Sequence, residues 1–492
     1  MTHTQRRTKI VATLGPATDA PEVLARTLAA GVDVVRLNLS HGKAEDHHRR
    51  AQAVRAWAAA HGREIAILAD LQGPKIRIER FAGGPVQVSE GQSFVLDCRP
   101  DAAPGDGSRV GVSYAGLPRD VRAGDVLLLD DGLVALNVRE VVGSEVRCTV
   151  KVGGTLSDRK GLNRQGGGLS VDALSDKDRS DIRLAAEMEA DFLAVSFVRS
   201  AADIEEARRL LRAAGGDAWL VAKIERADAI PVLEEIVDAS DAVMVARGDL
   251  GVEIGDAQLP GLQKRIIREA VSRNRAVITA TQMLQSMVSA PIPTRAEVLD
   301  VANAVLDGTD AVMLSQETAS GAHPDLAVAA MQRICLGAES QFRPQDYANT
   351  SPGAQRLDRT DQAIAHAAMD LANRIEAAAI VALTESGATA QWLSRYRSAV
   401  PIYALSHNAA ARRRMRLLRD VRPVAFEGVE SGSDSLRLVQ EAIGHLVRRG
   451  LLTPGSRVLL TQGDQVGRHG GTNTLRLLSV DEAGEAQNLR EL

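Results

Sequence analysis

Cysteine is scarce, with only three in 492 residues. Cys98, Cys148 and Cys335 stand far apart, without CxxC or Cys/His spacing. That pattern argues against a disulfide framework and a zinc module, and it suits a reducing compartment. Long apolar runs are also missing. No stretch is apolar enough to span a bilayer, and the start, MTHTQRRTKIVATLG, carries no signal-peptide core behind its basic residues. A soluble, cytoplasmic protein with no membrane partner is expected. Excess basic charge is absent too: 59 Lys and Arg stand against 63 Asp and Glu, for a net charge of −4. A nucleic-acid partner is therefore not expected, and any anion site must be a local cluster. Finally, there is no GxxxxGK[ST] loop, which excludes a P-loop enzyme.

What is present is a regular alternation. Apolar runs near 10–15, 33–40, 64–71, 191–198, 219–225, 242–247, 276–282 and 311–315 read as strands. Amphipathic stretches near 21–30, 45–60, 175–189, 201–214, 226–239, 258–273, 294–307 and 324–340 read as the helices between and after them. Ser175 with Asp178, and Thr294 with Glu297, have capping-box spacing, and Gly31, Gly215 and Gly308 sit where helices should end. Eight strands and eight helices predict a (β/α)8 barrel, whose site lies at the C-terminal ends of the strands. An open doubly wound sheet is the alternative.

The rhythm breaks at residues 75–172, where LVALNVREV and EVRCTVKV alternate with period two and Asp130-Asp131-Gly132 has turn chemistry. This predicts a small β-barrel domain inserted after the third strand and placed as a lid that excludes water. The barrel then comprises residues 1–74 and 173–345. Beyond a Pro- and Gly-rich linker, residues 346–492 alternate again and predict a C-terminal α/β domain that regulates or assembles.

Chemistry concentrates in VAKIERADAIPVLEEIVDASDAVMVARGDLGVEIG, residues 221–255. Lys223 and Glu225 share one face of a strand. The next strand breaks at Arg247-Gly248-Asp249, and parallel neighbours would bring Glu225 and Asp249 together as a magnesium pair. The plainer reading is that Lys223 pairs with Glu225 while Asp249 caps a helix. Arg36, Asn38 and Ser40 form a polar row on strand two, Asp70 ends strand three, Lys75 and Arg77 follow the Gly73-Pro74 hinge, and Thr279 and Thr281 share a face of strand seven. Arg36, Lys75, Arg77, Lys223 and Arg247 are thus predicted to ring two carboxylates, an arrangement suited to phosphoryl transfer, whose transition state spreads negative charge over the transferred oxygens. Two other readings use the same residues. One is a magnesium-dependent lyase acting on a 2-oxo acid, and the other is a ligand sensor on an inactive barrel.

VRLNLSHG, GPKIR, VAKIE, MVARGDLGVEI, ITATQMLQSM and PTRAEVLDVANAVLDGTDAVMLSQETASG, in this order and spacing, resemble the pyruvate kinase family over essentially the whole chain. The resemblance implies transfer of the phosphoryl group of phosphoenolpyruvate to ADP, giving pyruvate and ATP, in a homotetramer. It implies magnesium, with manganese as a substitute, on Glu225 and Asp249, and Lys223 as the cation that steadies the phosphoryl group in transit. Arg36 would bind the substrate phosphate. Gly248, Asp249 and Thr281 would hold the substrate carboxylate, with Thr281 near the route of enolate protonation. Asn38, His41, Arg77 and Lys160 would contact the nucleotide phosphates, and Asp131 lies in a lid turn like the family's.

Three features sharpen or depart from that pattern. Potassium-requiring members hold the ion at positions equivalent to Asn38, Ser40, Asp70 and the Leu71 carbonyl, and carry glutamate where this chain has Lys75. Leu71 and Gln72 differ as well, so a tethered ammonium is expected to replace the ion and potassium is not expected to be required. Gln316 stands where the family usually has glycine, which should perturb a loop near the site. In the C-terminal domain, Thr384, Ser386, Gly387 and Thr389 precede or open a helix and form a candidate cradle for a phosphorylated effector, a sugar phosphate or a nucleoside monophosphate. Ordinary capping by Ser386 or Thr389 is the competing reading.

Overall fold

The computed structural model describes residues 6–341, 357–396, 398, 400–428, 435–463 and 471–487. Eight parallel strands close a barrel in sequence order: β1 (Lys9–Leu14), β2 (Val34–Asn38), β3 (Ala66–Asp70), β4 (Phe192–Val195), β5 (Trp219–Ile224), β6 (Ala242–Ala246), β7 (Ala276–Ala280) and β8 (Ala311–Leu314). The helices that follow them are α1 (Pro21–Ala29), α2 (Ala44–Ala60), α3 (Asp176–Glu187), α4 (Ala201–Ala213), α5 (Leu233–Ala239), α6 (Leu259–Ser272), α7 (Arg295–Asp307) and α8 (Pro324–Glu339). The expected caps form. Ser175 Oγ accepts the Asp178 N–H and Thr294 Oγ1 accepts that of Glu297, and each cap contributes about 1 kcal/mol. Gly308 ends α7 at φ 100°, a conformation that a Cβ would strain.

Two differences from the sequence reading have local causes. The helix expected over 226–239 shrinks to α5 behind a short 3₁₀ turn at Ala227–Ala229, because Pro231 cannot donate to a helix running through it. After β6 an additional short helix, Arg247–Ile254, precedes α6.

Alternation along the strands divides the barrel into two apolar layers. Val35, Leu37, Val195, Leu220, Val243 and Val277 point outward and pack under the helices. Val11, Val34, Leu68, Phe192, Ala194, Val221, Met244 and Ile278 fill the interior. Continuing the inward row by two residues per step toward the C-terminal ends places Thr13, Arg36, Asn38, Asp70, Ser196, Lys223 and Glu225 at the mouth.

The inserted domain carries a six-stranded sheet and a two-stranded one around its own apolar core. Its entry and exit pair directly, Arg77 bridging Gly161 in antiparallel fashion. The C-terminal domain is a six-stranded sheet in the order Val421–Ala425, Ile402–Ser406, Ala379–Leu383, Arg457–Gly463, Thr472–Val480, Ala486–Gln487, the first four parallel.

This domain packs against the N-terminal ends of the barrel strands, the floor. Four aspartates each stand immediately before an even-numbered strand, and each accepts the backbone N–H of the preceding odd strand: Asp33 from Ile10 at 3.0 Å, Asp191 from Ile67 at 2.8 Å, Asp241 from Leu220 at 2.8 Å and Asp310 from Val277 at 2.9 Å. Three of them also meet arginines of the C-terminal domain, Asp33 with Arg416, Asp191 with Arg413 and Asp310 with Arg395.

Candidate active site

At the mouth the inward polar residues join into one chain of contacts. Arg36 Nη1 donates to Thr13 Oγ1 at 3.1 Å and Arg36 Nε to Asp70 at 2.6 Å. Asp70 lies 3.2 Å from Lys223 Nζ, which also reaches Ser196 Oγ at 2.6 Å and Glu225 at 3.0 Å. Glu225 accepts in addition the Phe197 N–H at 2.8 Å. Lys75, at the root of the inserted domain, lies 2.9 Å from Asp249.

Burial sets the electrostatics of this chain. Desolvation alone would lower the Lys223 pKa, but Asp70 and Glu225 outweigh it and raise the value, so the ammonium stays charged. Asp70 is pulled below its ordinary value by Lys223 and Arg36 despite complete burial. Glu225 goes the other way. Desolvation raises its pKa, and the neighbouring charges of Asp249 and Asp70 add to the rise, against the opposing pull of Lys223. The mouth therefore holds a carboxylate whose charge is costly until more positive charge arrives.

Thr281 stands just past β7 at φ 72°, an unfavourable region for a β-branched residue that costs about 1–3 kcal/mol. One contact holds it and one neighbour makes room for it. Arg247 Nη2 donates to the Thr281 carbonyl at 2.7 Å, and a Cβ on Gly248 would lie 2.9 Å from Thr281 Cγ2, so glycine is needed there. This corrects two expectations. Arg247 does not join the cationic ring, because the chain turns into a helix at Ala246 and its guanidinium is held by Ala280, Thr281 and Asp300. Thr279 does not share a face with Thr281, because strand alternation stops at Ala280, and Thr279 Oγ1 meets Thr309 Oγ1 at 3.0 Å in the buried outer layer.

The remaining predicted residues divide. Asn38 lies beside Asp70 in register and its Oδ1 accepts the Ser40 N–H. The Leu71 carbonyl accepts Ser196 Oγ at 2.8 Å. His41 is exposed. Arg77 holds the Arg159 carbonyl at 2.9 Å, and Lys160 pairs with Asp130 at 2.9 Å within the inserted domain, in the turn that includes Asp131. Gln316 Oε1 accepts Gln285 Nε2 at 3.0 Å, linking the loops after β7 and β8. In the C-terminal domain, Thr384 Oγ1 accepts the Gly387 N–H and Thr389 Oγ1 meets Thr472 Oγ1, while Ser386 is half-buried. Neither Ser386 nor Thr389 caps the helix that Gly387 opens.

Sequence reasoning missed Thr13 and Ser196. Each lies two residues beyond an inward apolar position, Val11 and Ala194, so strand alternation alone could have found them.

A closed parallel barrel with buried cations and carboxylates converging at the C-terminal ends of its strands defines a (β/α)8-barrel enzyme acting on an anionic substrate. Comparison with known proteins names the family. Residues 5–328 match the pyruvate kinase barrel domain and residues 362–478 the pyruvate kinase alpha/beta domain. Pyruvate kinase II of Salmonella typhimurium is 52% identical over 98% of this chain and 100% of its own length. Pyruvate kinase of Geobacillus stearothermophilus is 40% identical over 97% of this chain and 81% of its own. A crystal structure of a pyruvate kinase from Cryptosporidium parvum superposes with a TM-score of 0.90 at 32% identity, covering 97% of this chain and 96% of that one. The chain belongs to the pyruvate kinase family, and it catalyses that family's glycolytic reaction, phosphoryl transfer from phosphoenolpyruvate to ADP.

Proposed function

We propose that the transfer takes place at the barrel mouth, with magnesium held by Glu225 and Asp249. The chemistry of the donors carries this reading. Both offer hard oxygen ligands, and the Glu225 carboxyl, raised by burial and by Asp249, is the kind of group a divalent cation would stabilise. Among the described residues no three His, Cys, Asp or Glu side chains form a ready-made metal cluster, so water and substrate oxygens would complete the shell. When bound, magnesium supplies charge neutralisation at the phosphoryl oxygens, and manganese would substitute for it.

Lys223, fixed between Asp70, Ser196 and Glu225, presents a permanent positive charge to the phosphoryl group in transit, and Arg36 binds the substrate phosphate. The N–H groups of Gly248 and Asp249 lie in the first helical turn, where backbone donors lack helical acceptors, and with the Thr281 hydroxyl they hold the substrate carboxylate. Thr281 also lies on the route of enolate protonation. The inserted domain closes over the mouth, bringing Arg77 and Lys160 to the nucleotide phosphates beside Asn38 and His41.

Potassium is not required in this reading. Asn38 Oδ1, Asp70 and the Leu71 carbonyl already accept bonds from Ser40, from Lys223 and Arg36, and from Ser196, and Lys75 adds a fixed positive charge at Asp249. Ser386, beside Gly387 and near Thr384 and Thr389, is the hydroxyl best exposed to a phosphorylated effector. The resemblance to the family suggests a homotetramer, and Ile292 before α7, Leu299 and Leu306 on it, and Leu326 on α8 are exposed apolar side chains available to such self-association. A cytoplasmic site of action follows from the glycolytic reaction, and no helix among the described residues is long and apolar enough to cross a membrane.

The test is pyruvate formation from phosphoenolpyruvate, ADP and magnesium in potassium-free buffer. Full turnover without potassium, and a saturable potassium requirement created by Lys75→Glu, are expected. Strong activation of the unmodified enzyme by potassium, against a tetraalkylammonium control at equal ionic strength, would refute the role of Lys75.

A further inference from the structure

Glu253 lies one helical turn beyond Asp249 on the Arg247–Ile254 helix, and its side chain is buried. Its carboxylate binds two separate elements: Oε1 accepts Asn163 Nδ2 at 3.2 Å, and Oε2 accepts the Ala227 N–H at 2.9 Å. Its backbone carbonyl accepts the Gly166 N–H at 2.9 Å. Asn163 belongs to the last strand of the inserted domain, and Ala227 stands two residues past Glu225. A carboxylate costs several kcal/mol to bury unless every oxygen is engaged, so a site that needed only packing would favour an apolar side chain.

The elements that Glu253 joins are the two that carry the acidic pair and the return hinge of the inserted domain. That hinge is Gly166-Gly167-Gly168, with φ of 83°, 78° and 90°, a backbone path open to glycine. Its other anchors come from the same loop after β5. Asp228 accepts the Gly168 N–H at 3.0 Å with both oxygens, and Arg226 Nη2 donates to the Leu169 carbonyl at 2.6 Å. The return hinge is thus fastened to the residues directly following Glu225 and to the helix that contains Asp249.

We infer that Glu253 is a positioning residue: its carboxylate locks the seat of the inserted domain to both acidic elements, so that Glu225 and Asp249 face one another correctly only while the hinge is seated. This rests on the reading of Glu225 and Asp249 as the metal ligands. Glu253→Gln keeps the shape but removes the charge that strengthens both bonds, and it satisfies Ala227 and Asn163 together only if the Asn163 amide turns over. Asn163→Ala removes the link to the inserted domain without changing charge.

Two measurements test the inference on the full-length protein. Amide hydrogen exchange of the metal-free protein should quicken in both variants at residues 164–169, and in Glu253→Gln also at residues 226–229. Manganese affinity, read by electron paramagnetic resonance, should weaken by about 10-fold in Glu253→Gln, in line with the usual effect of losing a residue that orients metal ligands, and by less in Asn163→Ala. With saturating magnesium, turnover should recover while the KM for magnesium stays raised. A Glu253→Gln protein of lowered Tm but unchanged hinge exchange and unchanged manganese affinity would overturn the inference and leave Glu253 a packing residue. If Glu253→Gln does not fold, Asn163→Ala decides by the same two readings. Unchanged manganese binding in Glu225→Gln and Asp249→Asn would refute the metal reading itself, and the metal-free exchange would still report whether the clamp exists.

Discussion

The two ends of the barrel are both lined with buried charge, yet they are built on opposite rules. At the floor three of the aspartates that precede strands have fixed partners: Asp310 with Arg395, Asp33 with Arg6 and Arg416, Asp191 with Arg55 and Arg413. Each of these aspartates also stitches two strands through a backbone bond. At the mouth the charges share partners in a line, Glu225 is left with a raised pKa, and the backbone is forced to positive φ at Phe197 and Thr281. Closed pairs make a joint, whereas an unbalanced row held by strained backbone makes a site that gains most when substrate arrives.

Exchanging a residue at each end should separate the two rules, with the largest effect at the mouth. Lys223→Met is expected to lower kcat by about 10²–10³-fold, the usual cost of losing one electrostatic stabiliser of a transition state, with substrate KM little changed. Normal turnover with weakened phosphoenolpyruvate binding, in steady-state assays of the variant, would show that Lys223 is a binding residue instead. At the floor, Asp310→Ala leaves Arg395 buried and unpaired and should cost about 3–5 kcal/mol of stability, seen as a lower denaturant midpoint, with kcat kept. If kcat fell as much as stability, the floor would be part of the active machinery and the contrast would fail.

The third test is a matter of pH. Lys9 is fully buried at the floor, donates to the Val421 carbonyl at 2.6 Å, and has its pKa lowered by burial to about 7. The unfolded chain holds that proton up to about pH 10. Between these values the unfolded state binds more protons, so rising pH favours the fold, and the burden of Lys9 is full only below about pH 7. Lys9→Met should therefore raise Tm relative to the wild type most at pH 6, with the difference shrinking towards pH 10. A difference independent of pH would mean that Lys9 stays charged in the fold.

Much of this was legible in the sequence for physical reasons. Apolar runs ending in polar residues located all eight strands, and the two-residue step in Arg36-Leu37-Asn38 and Lys223-Ile224-Glu225 placed those side chains at the mouth. The same step failed at Thr281, because it was carried past the point where the strand stops, and Arg247, read as a strand-end cation, instead opens a helix and turns to Ala280, Thr281 and Asp300. Ser196 and Thr13 were passed over because a single hydroxyl at a strand end has no chemical signature, although its position does. The aspartates of the floor show as Asp before strand in GVDVV, EADFL, ASDAV and GTDAV, but their arginine partners in the C-terminal domain lie 85 to 383 residues away in sequence, where no local pattern connects them.

Those four aspartate stitches also bear on how the chain folds. Three of them join residues 23, 21 and 33 apart, whereas Asp191 reaches Ile67 across 124 residues, because the inserted domain lies between them. Closing the longer loop costs about 1.5 kcal/mol more than closing the shorter ones by the logarithmic rule. Distant pairings also form late. Of the four stitched seams, β3–β4 is therefore expected to form last, after those that join strands close in sequence. Pulse-labelling during refolding should protect the Leu220 and Val277 amides before that of Ile67; earlier protection of Ile67 would place the seam in the folding nucleus instead.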